Sequence, residues 1–261
     1  MDTTAAIPPR ETPQLKRAGL LALAFVAVLW LVKLVELASG LDLTDFGVRP
    51  LESYGLLGIL TAPLVHASFE HLIMNSVPLL VLLTLARFNY PSGSWRAFIF
   101  IWLAGGLGLW LIGRPSWHIG ASGVTHGLMF YLFVLGLLRR DRYAIAVAMI
   151  VFFLYGGMVV TVLPREAHVS WEAHLSGALA GTIAAFLWQK LDPPAALPRP
   201  SWELEEEAAS AAKEADAATY ELPRPAQVPV LWHRVPDDER GVVIEFPLRR
   251  RRDDETPPTV H

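Results

Sequence analysis

Apolar residues along this 261-residue chain come in long blocks and do not alternate with polar ones. Residues 18–32 are apolar up to Lys33. Residues 72–86, 97–113, 115–138, 143–164 and 173–189 each run without an acidic or basic side chain of the Asp, Glu, Lys or Arg type. A bilayer core about 30 Å thick takes roughly 20 residues of helix. With uncharged or snorkelling flanks added, these six blocks predict six spans. Residues 53–65 are apolar but too short to cross and are broken by Gly and Pro. They read as an interfacial or re-entrant segment inside a long connector between the first two helices. The expected fold is therefore an all-α membrane protein, a six-transmembrane-helix bundle with a long membrane-associated first loop.

Composition agrees and narrows the chemistry. The chain is 53% hydrophobic with a net charge of −3, so no overall basic field points to a nucleic-acid partner. It has no cysteine, which excludes disulfides, thiolate catalysis and Cys-ligated metals. No Walker, Rossmann or HExxH pattern occurs, and neither a metal nor a cofactor is expected. Arg10, Lys16 and Arg17 precede the first block, as in a signal peptide. No small-x-small cleavage site follows, and Lys33 and Glu36 stand where cleavage would fall, so the helix is read as retained.

Charge in the connectors sets the orientation. Basic residues gather before helix 1 and after helix 2 (Arg87, Arg96), helix 4 ("RRDR" at 139–142) and helix 6 (Lys190, Arg199). The other connectors carry Asp42, Asp45, Glu52 and Glu70 against Arg49, then Arg114 alone, then Arg165, Glu166 and Glu172. Positive loops lie on the cytoplasmic side. The expectation is a multi-pass protein of the cell (inner) membrane with both termini cytoplasmic. Three regions follow: a cytoplasmic segment 1–17, the membrane domain 18–190 and a cytoplasmic Pro/Glu/Arg-rich tail 191–261. In the tail, residues 201–221 read as a solvated helix capped by Ser201. Residues 247–258 ("PLRRRRDDETPP") read as disordered and as a solubilising tail, ahead of the alternative that the arginine run touches anionic lipid. Truncation after Lys190 is expected to leave the membrane domain active.

Polar side chains inside the blocks carry the candidate chemistry, because an ionisable group in a bilayer is costly and by default functional. His71 and Asn75 are four apart and share a helix face. His174 is followed by Gly177 and Gly181, small residues at a spacing that lets helix backbones approach. Ser122 lies between Gly120 and Gly123, with His126 four residues on. Helices 4 and 6 run in the same direction in a six-span bundle, so their small-residue faces can pack and bring Ser122 to His174. An imidazole beside a serine can take its proton during attack and return it to a leaving amine. Glu172 falls on another face from His174, so the reading is a Ser-His dyad. Helix-start N–H groups, with His71 and Asn75, can hold a tetrahedral oxyanion. Taken singly, the Gly-Ser motif can be ordinary membrane-helix packing, His71 with Asn75 an interhelical hydrogen-bond pair, and His174 a side chain facing a water-filled pocket. A transporter with a histidine proton relay would call for repeats and carboxylates, and helices 2 to 6 contain neither.

These residues resemble the rhomboid family of intramembrane serine proteases over about 18–190. The resemblance rests on "HASFEHLIMN" at 66–75, "GASG" at 120–123 and "HLSGALAG" at 174–181. It implies a rhomboid-like bundle with Ser122 as nucleophile, His174 as general base and His71 and Asn75 as oxyanion donors. It further implies transmembrane protein substrates cut near the outer membrane face, and entry past helix 5 and the loop after it. Phe152, Phe153 and Tyr155 are candidates for that gate, against a plain lipid-facing role. Two positions depart from the family pattern. Leu57 and Gly58 stand where a Trp-Arg pair is common. His126 stands where an aromatic stacks on the catalytic histidine, so it can support His174 by stacking and add a second titrating group. The competing reading is a catalytically inactive rhomboid-like protein that binds transmembrane clients. Oligomeric state is not legible in the sequence.

Overall fold

The apolar blocks fold as helices because, in lipid, a helix satisfies its own backbone groups. The computed structural model describes residues 11–164, 166, 169–193 and 201–219. Their helices are α1 Glu11–Ser39, the short α2 Gly58–Thr61, α3 Phe69–Asn89, α4 Gly93–Ile112, α5 Ser122–Arg139, α6 Arg142–Tyr155, α7 Trp171–Trp188 and α8 Ser201–Thr219. The only strand-like pairing among the described residues is an isolated antiparallel bridge between Val48 and His118. Among the described residues, five helical segments are long and apolar enough to cross a membrane: Pro13–Ser39, Phe69–Asn89, Gly93–Ile112, Ser122–Arg139 and Arg142–Val162. The sixth expected span, α7, is an 18-residue helix in the same bundle. Glu172 and His174 open it, and their polarity keeps it out of that set.

Burial is arranged for a lipid solvent. Leu20, Leu31, Ile99, Phe153 and Phe186 are exposed, while the residues facing other helices are small or close-packed. The span in α5 is 56% buried against 17–39% for the others, so α5 is the central helix. It packs on α3, α4, α6 and α7. α1 rides on α3 through the narrow seam of Ala18, Ala22, Val26 and Leu29.

Two blocks stop short of their expected lengths. Block 115–138 turns helical only at Ser122, because Gly120 has φ +108°, which no right-handed helix accommodates. Block 143–164 is α-helical to Tyr155 and continues as a 3₁₀ helix, Gly156–Val162. Two glycines followed by β-branched Val159, Val160 and Thr161 disfavour the α form there.

The first loop does not span. Its apolar part is a chain of short turns, Ser53–Leu56, Gly58–Thr61 and Ala62–Leu64. Trp102 and Trp110 of α4 donate their indole N–H groups to the Ile59 and Glu52 carbonyls (3.0 and 2.9 Å) and hold the loop against the bundle. At Gly58 a Cβ would lie 2.0 Å from the Gly47 carbonyl oxygen, so this loop has no room for the larger side chain common there in the family pattern. The membrane bundle lies within residues 1–196, and α8 belongs to a second unit within 197–261. α8 is polar, with Glu203 in its first turn where the helix dipole favours an acid. The arginine run in 247–258 lies outside the described residues, as do Arg10, Arg165 and Arg199.

Candidate active site

Small residues bring α5 and α7 together. A Cβ at Gly177 would lie 1.9 Å from the Gly123 carbonyl oxygen, and one at Gly181 would lie 2.0 Å from that of Gly127. Backbone therefore touches backbone along this seam, at the ends of the two helices that carry Ser122 and His174. A cross-tie sets the same end. The Arg114 guanidinium pairs with the buried Glu172 carboxylate (3.4 Å) and donates to the Val169 carbonyl. The His118 ring lies 2.6 Å from Ser170 Oγ and 3.0 Å from the Arg114 carbonyl oxygen. Burial holds His118 below the ordinary imidazole value, so the ring is neutral. Nε2–H then donates to the Arg114 carbonyl and Nδ1 accepts from the Ser170 hydroxyl. Ser170 in turn caps α7 by accepting from Ala173 N–H (3.3 Å). The loop that ends in Ser122 is thus pinned to the start of the helix carrying His174.

Ser122 is the first residue of α5, and the first backbone bond of that helix runs from Thr125 N–H to the Ala121 carbonyl (3.0 Å). The N–H groups of Ser122, Gly123 and Val124 therefore lie at its free, positive end. The residues just before are anchored from the first loop. Gly120 N–H donates to the Ala62 carbonyl (2.9 Å), and Ala121 N–H donates to His66 Nε2 (3.3 Å). Burial, then the neighbouring His71, push the His66 imidazole down to about 4, which keeps Nε2 free to accept. The absence of a Cβ at Gly120 leaves space for the His71 ring, since a Cβ there would lie 2.6 Å from His71 Cε1.

His174 is buried at the inner side of this arrangement. Its Nδ1 donates to the Thr161 carbonyl oxygen (3.0 Å), which leaves Nε2 as the unprotonated nitrogen. The His126 ring stacks on it with centroids 3.9 Å apart and planes 9° from parallel. His126 Nδ1 donates to the Ser122 carbonyl (2.7 Å), and Nε2 lies 2.7 Å from Thr161 Oγ1. Among the described residues no hydrogen bond joins Ser122 Oγ to His174, so the two are neighbours through the seam and not through a formed bond. The His71 ring hydrogen-bonds to no described residue. The Asn75 amide donates to the His71 carbonyl of its own helix (2.8 Å). Phe152 and Phe153 are exposed, and Tyr155 is half-buried against the core.

Four contributors were not visible as such in the sequence. His66 opens the quoted 66–75 block, but spacing does not reveal that a loop histidine folds back onto Ala121. Thr161 lies in an apolar run and acts partly through its main chain. Arg114 and Glu172 are 58 positions apart and meet only in the fold. No group of three or more His, Cys, Asp or Glu suited to a metal occurs among the described residues.

A family model described as the rhomboid domain matches residues 54–190. An uncharacterized protein of Mycobacterium tuberculosis (strain ATCC 25618 / H37Rv) is 43% identical over 186 residues, 68% of this chain and 78% of the relative. An uncharacterized protein of Mycobacterium leprae (strain TN) is 38% identical over 178 residues, 65% and 70% of the two chains. With a matching domain over half its length, apolar helices in a bundle and a glycine seam between Ser122 and His174, this multi-pass membrane chain belongs to the rhomboid family.

Proposed function

We propose that the protein is an intramembrane serine endopeptidase that cleaves transmembrane segments of other membrane proteins. The observation that carries this reading is the setting of His174. It is fixed with Nδ1–H on a carbonyl and Nε2 bare, one backbone contact away from the helix that begins at Ser122. In the proposed reaction Ser122 Oγ attacks the scissile carbonyl carbon, and its proton passes to His174 Nε2. The tetrahedral oxyanion sits among the free N–H groups of α5, His71 and Asn75. His174 then gives the proton to the leaving amine, and water hydrolyses the acyl ester by the reverse assistance. The open Ser122–His174 bond is compatible with this, because such bonds often tighten only with substrate present.

The same open bond favours a second reading, an inactive rhomboid-like protein that holds transmembrane clients. Cleavage of a helical reporter in membranes separates the two. The expectation is product from the wild type and none from Ser122→Ala, with fluorophosphonate labelling that disappears in Ser122→Ala and His174→Ala. Equal product from wild type and Ser122→Ala would overturn the protease reading. Residence in the cell (inner) membrane with cytoplasmic termini is part of the proposal and rests on the connector charges. So are a transmembrane protein substrate, a lipid bilayer around the bundle and the absence of a nucleic-acid partner.

A further inference from the structure

A dyad lacks the carboxylate that normally orients the base, so something else must choose which nitrogen of His174 carries the proton. We infer that Thr161 fills that position: its carbonyl orients His174, and its hydroxyl, bound to His126, keeps that carbonyl in place. The inference rests on the protease reading above.

Three contacts meet at this residue. The Thr161 carbonyl accepts from His174 Nδ1 (3.0 Å), and Thr161 Oγ1 lies 2.7 Å from His126 Nε2 and 2.9 Å from the Met158 carbonyl. His126 Nδ1 already donates to the Ser122 carbonyl (2.7 Å). In the neutral ring Nε2 is therefore bare and competes with the Met158 carbonyl for the single Thr161 hydroxyl proton, and the shorter contact, 2.7 against 2.9 Å, favours His126. A closed circuit results, running from the Ser122 carbonyl through His126 and Thr161 to His174, with the two imidazoles stacked inside it. Through this circuit the nucleophile's own helix holds the orienting carbonyl.

The side chain matters because the segment is only lightly held, with Met158 packed against the core. No residue of Gly156–Val162 is buried, and Thr161 itself is exposed. Without the hydroxyl, the hydrogen bond from Thr161 to α5 is lost, and its carbonyl is left bonded to the α7 histidine that it is meant to orient. His174 then samples both tautomers, and the one with Nε2–H cannot take the serine proton. Thr161 acts through His174 and is a positioning residue.

The test compares Thr161→Val, which keeps shape and main chain but loses the hydroxyl, with Thr161→Ser, which keeps it. With a helical reporter in membranes, Thr161→Val is expected to lower kcat about five- to tenfold, the scale of one lost hydrogen bond. KM should stay within about twofold, fluorophosphonate labelling should slow by the same factor as kcat, and Thr161→Ser should restore both. Unchanged kcat in Thr161→Val, an effect confined to KM, or no rescue by Thr161→Ser overturns the inference. ¹⁵N resonance of the histidine rings in a Ser122→Ala background supplies a readout independent of cleavage. Thr161→Val should shift His126 Nε2 to its unbonded position and mix the His174 tautomers, while Thr161→Ser should do neither. Unmoved ring signals overturn the inference even where cleavage falls. A wild type that neither labels nor cuts sinks the protease reading, while the ring signals still decide whether Thr161 orients His174.

Discussion

His66 shows how one buried side chain couples the site to pH. Its folded value of about 4 lies below the ordinary 6.5, so the unfolded chain binds a proton that the folded chain refuses. The sign follows: stability is full above 6.5 and is lost as pH falls from 6.5 to about 4. The gap corresponds to about 3 kcal/mol when fully developed. The wild type in detergent should therefore lose thermal stability steeply over that window. His66→Gln, which can still accept from Ala121 N–H but does not titrate, should show a shallower fall. Parallel pH profiles for the two proteins would remove His66 from the account. Burial of His118 acts in the same direction, so the wild-type slope should be reduced by the variant and not abolished.

At the scale of elements, the decisive contact is between α5 and α7. Their backbones meet at Gly123 with Gly177 and at Gly127 with Gly181. A methyl group at Gly177 cannot be absorbed by side-chain motion, because the atom it meets is a carbonyl of the facing helix. Gly177→Ala should cost about 3 kcal/mol or drive the helices apart, and either outcome should abolish fluorophosphonate labelling. Gly19→Ala in α1 is the matched control, since nothing lies within 4 Å of a Cβ there. It should leave labelling and thermal stability close to wild type. Labelling of Gly177→Ala at the wild-type rate would show that the seam does not set the Ser122–His174 spacing.

For the molecule as a whole, bonds to the membrane bundle continue past Lys190. Asp192 accepts from the N–H groups of Ser92 and Gly93 (2.9 and 2.7 Å), capping the start of α4 with a carboxylate. Arg139 donates to the Leu191 carbonyl (3.1 Å). A cap of this kind is worth about 1 kcal/mol, and both contacts are lost when the chain ends at Lys190. Truncation after Pro193 should therefore match the full chain in thermal stability. Truncation after Lys190, expected from the sequence to leave the membrane domain active, should melt measurably lower. Equal melting of the two truncations would show that the Asp192 cap carries no weight.

The sequence by itself determined the class of molecule, its helices and the residue types of the candidate site. Lipid forces each long apolar block into a helix, and ionisable side chains survive there only with a reason. That logic is local, so it could be followed from "GASG" and "HLSGALAG" alone. Tertiary structure decided what depends on distant parts of the chain. Gly120 took a positive φ against His71, which delayed the start of α5 to Ser122. His66 folded back onto Ala121, and Arg114 found Glu172. Thr161, unremarkable in an apolar run, was carried to both imidazoles. None of these has a periodicity or spacing to betray it, because each depends on where a loop returns to the bundle.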